Sequence, residues 1–128
     1  MNDHKHRTIV MDIDGTLTIP EAGVPYDELR PNLEVITVLR GYRDEGFKIV
    51  LATSRNMQTY DNNFGAIIAN TLPTLLAWLC QHDVPYDEIW PGKPWCGPDG
   101  FYVDDRAIRP NEFVSMSEDE IRELLDDA

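Results

Sequence analysis

Two aspartates stand two residues apart at the end of an apolar run, close to the start of the sequence. The run Ile9–Met11 leads into Asp12 and Asp14, and Gly15 and Thr16 follow directly. Because residues i and i+2 of an extended chain point the same way, both carboxylates can face one small volume. Their repulsion must then be balanced, either by a hard cation held by oxygen ligands or by a proton that one carboxylate retains at a raised pKa. The pattern therefore indicates metal-assisted or acid–base chemistry.

Polar side chains also follow later apolar runs and loops. Open α/β sheets bind their ligands at the carboxyl ends of strands, so residues in these places are candidates for a binding site. They are Thr53, Ser54 and Arg55 after the second run, Lys93 in a turn-rich loop, and Asp104, Asp105 and Arg106 after the last run.

The elements that must position these residues alternate between strand and helix. Near-continuous apolar runs are typical of strands that are covered on both faces, as in parallel sheets. A strand, a helix and a strand in this order form a right-handed crossover unit. The sequence thus predicts an α/β fold with a central parallel sheet. The predicted strands are Thr8–Met11, Phe47–Ala52, Asp87–Trp90 and Gly100–Val103, with a possible edge strand over Ile108–Val114.

Start and stop signals delimit the predicted helices. Pro31 suits the first turn of a helix, and Gly46 is a plausible end for it. Thr71 can cap a second helix that has Pro73 in its first turn. The stretch Ser117–Glu120 has the form of a capping box and predicts the start of a last helix. These helices provide the crossovers that a parallel sheet requires.

Residues 17–30 follow the two aspartates directly and contain Pro20, Gly23 and Pro25. This composition predicts a loop or a short hairpin, which could fold over the carboxylates and which we call the flap. The polar start Met1–Arg7 is expected to be flexible. At 128 residues, the chain is predicted to form a single domain, 1–128, that is long enough to bury a core.

Charge and composition exclude several classes of function. The formal net charge of −12 disfavours a nucleic-acid partner or an anionic membrane surface. No apolar run approaches the roughly 18 residues of a membrane span, and the polar start lacks the apolar region of a signal peptide. Cys80 and Cys96 are far apart and have no CxxC spacing, so we expect them to stay reduced. Together these features predict a cytoplasmic protein.

The stretch Asp12–Thr16 resembles the DxDGT first motif of the haloacid dehalogenase (HAD) superfamily of phosphohydrolases. Three further motifs of that family, a Thr or Ser, a Lys and an acid pair, have counterparts here in the same order. The resemblance implies a Rossmann-like HAD core with three α/β/α layers around a central parallel sheet. The gaps between motifs leave little room beyond one core helix each, so the chain is expected to lack a cap domain and to carry only the flap.

The resemblance also implies a Mg²⁺-dependent phosphatase and a role for each site residue. Asp12 would be the nucleophile that forms an aspartyl-phosphate, and Asp14 the general acid and base. Thr53, with Ser54 as the runner-up, would hold a phosphoryl oxygen, and Lys93 would stabilise the transferring charge and pair with the two carboxylates. The implied metal ligands are Asp12, Asp14 through its backbone carbonyl, and the pair Asp104 and Asp105, of which either could be the direct ligand; the implied substrate-binding residues are Ser54, Arg55 and Arg106.

Four stretches resemble, more narrowly, the small HAD phosphatases of capsular polysaccharide biosynthesis clusters. This resemblance implies a phosphorylated sugar or a related small phosphate as the substrate, with a nucleotide or a broad range of small phosphates as the alternative. An open, capless site also implies either a large substrate or a homo-oligomer, such as a tetramer, whose neighbouring subunits complete the pocket. The stretches are Thr53–Tyr60, Val84–Ile89, Gly92–Gly97 and Phe101–Pro110.

Three other functions have to be weighed against the sequence. A two-component receiver domain has a similar size and similar residues, but its acid pair follows strand one, whereas here the pair comes last. A non-catalytic partner-binding module on a HAD scaffold has no support, because no predicted catalytic residue is missing. A phosphotransferase that passes the phosphoryl group to a sugar remains open, although no segment is large enough for a second sugar-holding domain.

Overall fold

The computed structural model describes residues 7–126, which divide into two compact units. One unit ends at Trp95 and the other begins at Cys96. The predicted flexible start lies outside the described residues except for Arg7, whose carbonyl oxygen accepts a hydrogen bond from the Lys48 N–H at 2.9 Å. The single-domain organisation stays a prediction.

The first unit is an open parallel sheet of three strands with connecting helices. The strand order is β1-β2-β3, and each neighbouring pair is parallel. Its elements are β1 (Thr8–Asp12), α1 (Leu33–Asp44), β2 (Lys48–Thr53), α2 (Phe64–Asn70), α3 (Leu72–Gln81) and β3 (Glu88–Pro91). The α/β fold and the first three predicted strands are therefore confirmed, with strand ends that differ from the predicted ones by at most one residue.

The strand register brings the carboxyl ends of all three strands to one edge of the sheet. Asp12 lies beside Ala52, and Ala52 lies beside Trp90 on the next strand. The pairing continues past β3, because the Lys93 N–H donates to the Thr53 carbonyl oxygen at 3.0 Å. Residues that are distant in sequence thus meet at this edge.

The core of the first unit lies on one face of the sheet. Met11, Ile49 and Leu51 are buried there. Both crossovers advance in the same direction across the sheet, so right-handed connections place α1 and the α2–α3 pair on the same face. On the opposite face Val10 is 68% exposed and Trp90 is 62% exposed. The three-layer arrangement stays a prediction.

Hydrogen bonds fix the flap near its two ends. The Ile19 N–H donates to the Arg30 carbonyl oxygen at 2.8 Å. The indole N–H of Trp78 on α3 donates to the Leu29 carbonyl oxygen at 2.9 Å, and that hydrogen bond is buried. Between these anchors, Tyr26–Glu28 form a short 3-10 helix. The flap is therefore a loop with a fixed base beside the end of β1.

One predicted helix start is shifted, whereas the other lies directly after Thr71 as predicted but lacks the predicted side-chain cap. α1 begins at Leu33 rather than at Pro31, because the side chain of Asn32 caps its first turn. The Thr71 hydroxyl does not cap α3 and instead donates to the Asn56 amide oxygen at 2.8 Å.

Within residues 7–126, no single helix is long and apolar enough to cross a membrane. α2 and α3 reach that length and hydropathy only as a pair, which is bent by 45°.

The second unit contains the helices α4 (Pro110–Ser115) and α5 (Glu118–Asp126). The edge strand predicted over Ile108–Val114 is wrong, because the chain there forms α4. Pro110 pre-sets the backbone of a first helical turn, and the Glu112 carboxylate accepts the Arg109 N–H at 2.8 Å. These local helix signals outweigh the apolar residues that suggested a strand.

The start of α5 has the predicted capping box. The Ser117 N–H donates to the Glu120 carboxylate at 2.9 Å, and the Glu120 N–H donates to the Ser117 hydroxyl at 3.2 Å.

The strand predicted over residues 100–103 is wrong, since this segment lies outside the three-stranded sheet. Phe101 is 80% exposed and Val103 is 89% exposed.

Candidate active site

The two aspartates lie where β1 ends and the chain turns sharply. The Ile13 carbonyl oxygen accepts the Leu17 N–H at 2.8 Å. Gly15 has φ +84°, a backbone conformation that glycine adopts without strain, and its N–H donates to the Thr18 hydroxyl at 3.1 Å. Within residues 7–126, the Asp14 carbonyl oxygen accepts no hydrogen bond. The turn therefore leaves that oxygen available to a ligand.

The carboxylate of Asp12 contacts Lys93 and Thr16. Its Oδ1 lies 3.4 Å from the Lys93 Nζ, and its Oδ2 accepts the Thr16 hydroxyl at 3.3 Å. Burial raises the pKa of the Asp12 carboxyl above its usual range, and the neighbouring Lys93 ammonium opposes that rise without cancelling it. Sequence reasoning predicted the meeting of Asp12 and Lys93 but did not assign a role to Thr16.

Asp14 forms a two-point ion pair with Arg55. The Arg55 Nη2 lies 2.7 Å from Asp14 Oδ1, and the Arg55 Nε lies 3.1 Å from Asp14 Oδ2. Arg55 is only 4% exposed, so its guanidinium is committed to this carboxylate. The predicted contact of Arg55 with substrate stays a prediction, whereas its contact with Asp14 was not predicted at all.

Tyr26 on the flap also reaches this ion pair. The guanidinium carbon of Arg55 lies 4.4 Å from the centroid of the Tyr26 ring, which is the geometry of a cation–π contact. Nothing in the sequence marks Tyr26, since an aromatic residue between prolines in a loop has many uses. The flap therefore touches the candidate site through Arg55.

Thr53 and Ser54 at the end of β2 have different environments. Thr53 is buried, and its hydroxyl oxygen accepts the Arg55 N–H at 3.0 Å. Ser54 is partly exposed, and its carbonyl oxygen accepts the Met57 N–H at 3.0 Å. Thr53 thus shapes the turn that carries Arg55, while the side chain of Ser54 is open to a ligand.

The backbone before Lys93 has a conformation that suits glycine. Gly92 has φ +90°, and a Cβ built on it would lie 2.8 Å from the Phe64 ring. Any other residue at this position would therefore have an unfavourable backbone angle, and its Cβ would clash with the Phe64 ring. Together with the hydrogen bond from the Lys93 N–H to Thr53, this close packing sets where the Lys93 side chain begins.

The residues predicted to form the fourth motif lie in the second unit. Asp104, Asp105 and Arg106 are exposed, and the Asp104 carboxylate accepts the Arg106 N–H at 2.7 Å in a local turn. Their roles in binding metal and substrate stay predictions.

Two oxygen groups of the first unit fit a divalent cation. They are the partly exposed carboxylate of Asp12 and the carbonyl oxygen of Asp14, whereas the Asp14 carboxylate is taken by Arg55. Within residues 7–126, no three His, Cys, Asp or Glu side chains form a group that could hold a metal ion. Mg²⁺ commonly takes one or two carboxylates and fills its other positions with waters and substrate phosphate oxygens. The groups present therefore suit Mg²⁺ better than a cation that needs a full cage of protein ligands.

Comparison with solved structures gives a relative of nearly equal length. The crystal structure of a structural-genomics target from Vibrio cholerae shares 51% sequence identity with this chain, with a TM-score of 0.92. The match covers 94% of this chain and 98% of the other. The chain belongs to the same family as that Vibrio cholerae protein. No protein-family model matches the sequence, and no curated protein matches it either.

Two more distant likenesses concern the fold alone. A chain of the Pnkp1/Rnl/Hen1 complex is 21% identical, with a TM-score of 0.52, and the match covers 66% of this chain and 27% of that one. A chain of the Pnkp1/Rnl/Hen1 RNA repair complex is 19% identical, also with a TM-score of 0.52, over 99% of this chain and 33% of that one. This chain thus shares its α/β fold with part of much longer chains.

Proposed function

We propose that this protein is a Mg²⁺-dependent phosphomonoester hydrolase with a HAD-type core. The observation that carries the proposal is the contact between Asp12 and Lys93, which joins the first and third motifs across 81 residues of sequence. A partly buried carboxylate beside a cation is suited to act as a nucleophile toward an anionic phosphate, because the cation offsets the repulsion. The second motif is close by, since Arg55 binds Asp14.

In the first step, a carboxylate oxygen of Asp12 attacks the phosphorus of the substrate. The bond between phosphorus and the ester oxygen breaks, and its electron pair stays on that oxygen. In this proposal Asp14 enters the step protonated, keeps its contact with Arg55 through its remaining lone pairs, and donates the proton that makes the leaving group an alcohol. Lys93 faces the negative charge that develops on the phosphoryl group. The product on the enzyme is an aspartyl-phosphate at Asp12, so one difficult hydrolysis becomes two easier steps.

In the second step, water attacks the phosphorus of the aspartyl-phosphate. Asp14, now without its proton, accepts a proton from that water. The bond between phosphorus and the Asp12 oxygen breaks, which releases inorganic phosphate and restores the Asp12 carboxylate. When bound, Mg²⁺ would neutralise negative charge on the phosphate and the carboxylate, held by Asp12 and the Asp14 carbonyl oxygen. Asp104 and Asp105 are proposed as further ligands on the sequence resemblance alone.

The hydroxyl that binds a phosphoryl oxygen in this proposal is that of Ser54 rather than that of Thr53. Thr53 is buried and accepts a hydrogen bond from the Arg55 N–H, whereas Ser54 is partly exposed. We expect Ser54→Ala to raise the KM for substrate about 10-fold, the value of one hydrogen bond to a charged group. If Thr53→Val raises the KM while Ser54→Ala does not, the assignment reverses.

The proposed substrate is a phosphorylated sugar or a related small phosphate, with a nucleotide as the alternative. The resemblance to capsule biosynthesis phosphatases supports the first, and the absence of room for a cap domain supports an open site. Because one of the structural neighbours is part of an RNA repair complex, a phosphorylated oligonucleotide is included as a further class to test. The net charge of −12 disfavours a long polyanionic substrate.

The test is phosphate release from a panel of sugar phosphates, nucleotides, a 3′-phosphorylated oligonucleotide and an aryl phosphate, with Mg²⁺ and with EDTA. We expect turnover that requires the metal and is abolished in Asp12→Asn. The control variant Asp99→Asn removes an aspartate of the second unit that has no part in the proposal. Turnover that survives Asp12→Asn, or a folded wild type without turnover on any of these classes, would contradict the proposed function.

The proposed homo-oligomer is tested by sedimentation of the same samples. A monomer at the concentration of the assay would exclude it.

A further inference from the structure

We propose that Tyr26 is a positioning residue, whose ring holds the Arg55 guanidinium in the orientation that binds both oxygens of Asp14. The inference rests on the proposed function, because it assigns Tyr26 a part in the proton transfers made by Asp14. Through Tyr26, the flap would then contribute to the reaction itself.

Three contacts define the position of Arg55. Its backbone N–H donates to the Thr53 hydroxyl at 3.0 Å, and its side chain makes the bonds of 2.7 and 3.1 Å to the two Asp14 oxygens. The third contact is the Tyr26 ring, whose centroid lies 4.4 Å from the guanidinium carbon. The first contact fixes only the root of a long side chain, so the other two contacts are those that act on the guanidinium itself, within a side chain that is almost fully buried.

The ring and the carboxylate constrain the guanidinium in different ways. The fork of a guanidinium matches a carboxylate when both groups lie in one plane. A ring beneath the guanidinium carbon limits the orientations that the group can take and keeps water from one side of the charge. Without the ring, water can reach the same N–H groups and compete with the Asp14 oxygens. Asp14 would then sample more than one orientation.

The orientation of Asp14 matters most for substrates with poor leaving groups. An alkyl phosphate leaves as an alkoxide that must receive a proton from Asp14, whereas an activated aryl phosphate leaves as a far weaker base. A residue that positions Asp14 should therefore affect alkyl phosphates more than aryl phosphates. A residue that only stabilises the fold should affect both to the same extent.

Tyr26 can be altered without opening the core. Tyr26 is 44% exposed, and none of the residues of its 3-10 helix is buried. Tyr26→Leu removes the aromatic face, and Tyr26→Phe keeps it while removing the hydroxyl. Asp27→Asn, in the same 3-10 helix, is the matched control for a change in the flap that leaves the ring in place.

The first experiment measures kcat and KM for one alkyl and one aryl phosphate. We expect Tyr26→Leu to lower kcat about 10-fold for the alkyl phosphate and less than about 3-fold for the aryl phosphate, with little change in KM. Tyr26→Phe and Asp27→Asn should stay within about 2-fold of wild type on both. Equal losses on both substrates, or a Phe variant as impaired as the Leu variant, would overturn the proposal.

The second experiment does not depend on activity. The side-chain N–H signals of arginines in ¹⁵N-labelled protein report how strongly each guanidinium is held, and Arg55→Lys assigns the signal of Arg55. We expect a sharp Arg55 signal in wild type and in Tyr26→Phe, broadened by exchange in Tyr26→Leu. An unchanged signal in Tyr26→Leu overturns the positioning role. If the signals behave as expected but no substrate turns over, the proposed function fails while the contact between flap and ion pair stands.

Discussion

The Lys93 Nζ lies 3.4 Å from the Asp12 Oδ1, although 81 residues separate the two in sequence. The sheet register makes the contact possible, because the Lys93 N–H extends the pairing of β2 and β3 at the edge where Asp12 ends β1. Burial raises the pKa of the Asp12 carboxyl, and the ammonium offsets part of that cost. In the proposed reaction the same charge stabilises the phosphoryl group as it moves.

Lys93→Met should lower kcat about 100-fold or more, because it removes a preorganised cation from the reacting charges. The KM should change less than kcat if the charge acts mainly in the transition state. The measurement is steady-state hydrolysis of the best substrate in the panel.

Lys48→Met is the matched control for Lys93→Met. Lys48 and Glu88 are the first residues of β2 and β3 and form an ion pair there, at the opposite edge of the sheet from Asp12 and Lys93. Both side chains are partly exposed, so the loss of the Lys48 charge should leave kcat within about 2-fold of wild type. Equal losses in the two variants would show that Lys93 has no special place in the reaction.

Thr16→Val should lower kcat about 10-fold, since it removes the hydroxyl that donates to Asp12 Oδ2 at 3.3 Å and a hydrogen bond to a charged group is worth about 1.5 kcal/mol. Thr16→Ser keeps the hydroxyl and should recover most of the activity. If the Ser and Val variants are equally impaired, the methyl group rather than the hydrogen bond of Thr16 is what matters.

Asp12→Asn should stabilise the metal-free protein near neutral pH. Burial raises the folded-state pKa of Asp12 above its unfolded value, so between those two values the folded state binds more protons than the unfolded state. Stability therefore falls as pH rises through that window, and a neutral amide avoids the loss. The gain in Tm, measured in EDTA, should be larger near pH 7 than near pH 4.

Asp14→Asn provides the contrast to Asp12→Asn. It leaves the buried Arg55 without its carboxylate partner and should lower the Tm at neutral pH. A decrease for Asp12→Asn as large as that for Asp14→Asn would show that the ion pair with Lys93 outweighs the cost of burying the Asp12 charge.

Gly92→Ala should destabilise the fold and lower activity together. The new methyl group would lie 2.8 Å from the Phe64 ring at a backbone φ of +90°, and the strain would shift the residue before Lys93. Gly97→Ala is the control, since Gly97 has a similar φ of +81° with no atom within 4 Å of the added Cβ. Both variants should lose about 1–2 kcal/mol to the left-handed backbone, and Gly92→Ala should lose more. Equal losses in chemical denaturation would exclude the clash with Phe64.

Much of the first unit could be predicted because its signals are local. The apolar runs that became β1, β2 and β3 each stand between turn residues, and hydroxyls or carboxylates follow the first two. Parallel pairing then places those residues at one edge, and the resemblance to the HAD family predicted that Lys93 would pair with the carboxylates there. The capping box of Ser117 and Glu120 was predictable for the same reason, since its spacing alone defines it.

The errors arose where neighbours or side-chain conformations decide the outcome. Residues 100–103 have the composition of a strand, but a strand forms only where another strand supplies its hydrogen bonds. The helix at Pro110 could have been found from the proline and from Glu112 two residues later. The pairing of Arg55 with Asp14, and the cation–π contact of Arg55 with Tyr26, depend on the side-chain conformations of long residues. No spacing in the sequence encodes those contacts.

The central claim is that Asp12 becomes phosphorylated during turnover, and an acid quench of the working enzyme tests it most directly. Low pH preserves an acyl phosphate, and borohydride then reduces it to an alcohol, so that peptide mass spectrometry can locate the modified side chain. The account predicts a Mg²⁺-dependent modification at Asp12, at one site per chain, that disappears in Asp12→Asn. Phosphate release without any modified aspartate, or with the modification on another residue, would contradict it.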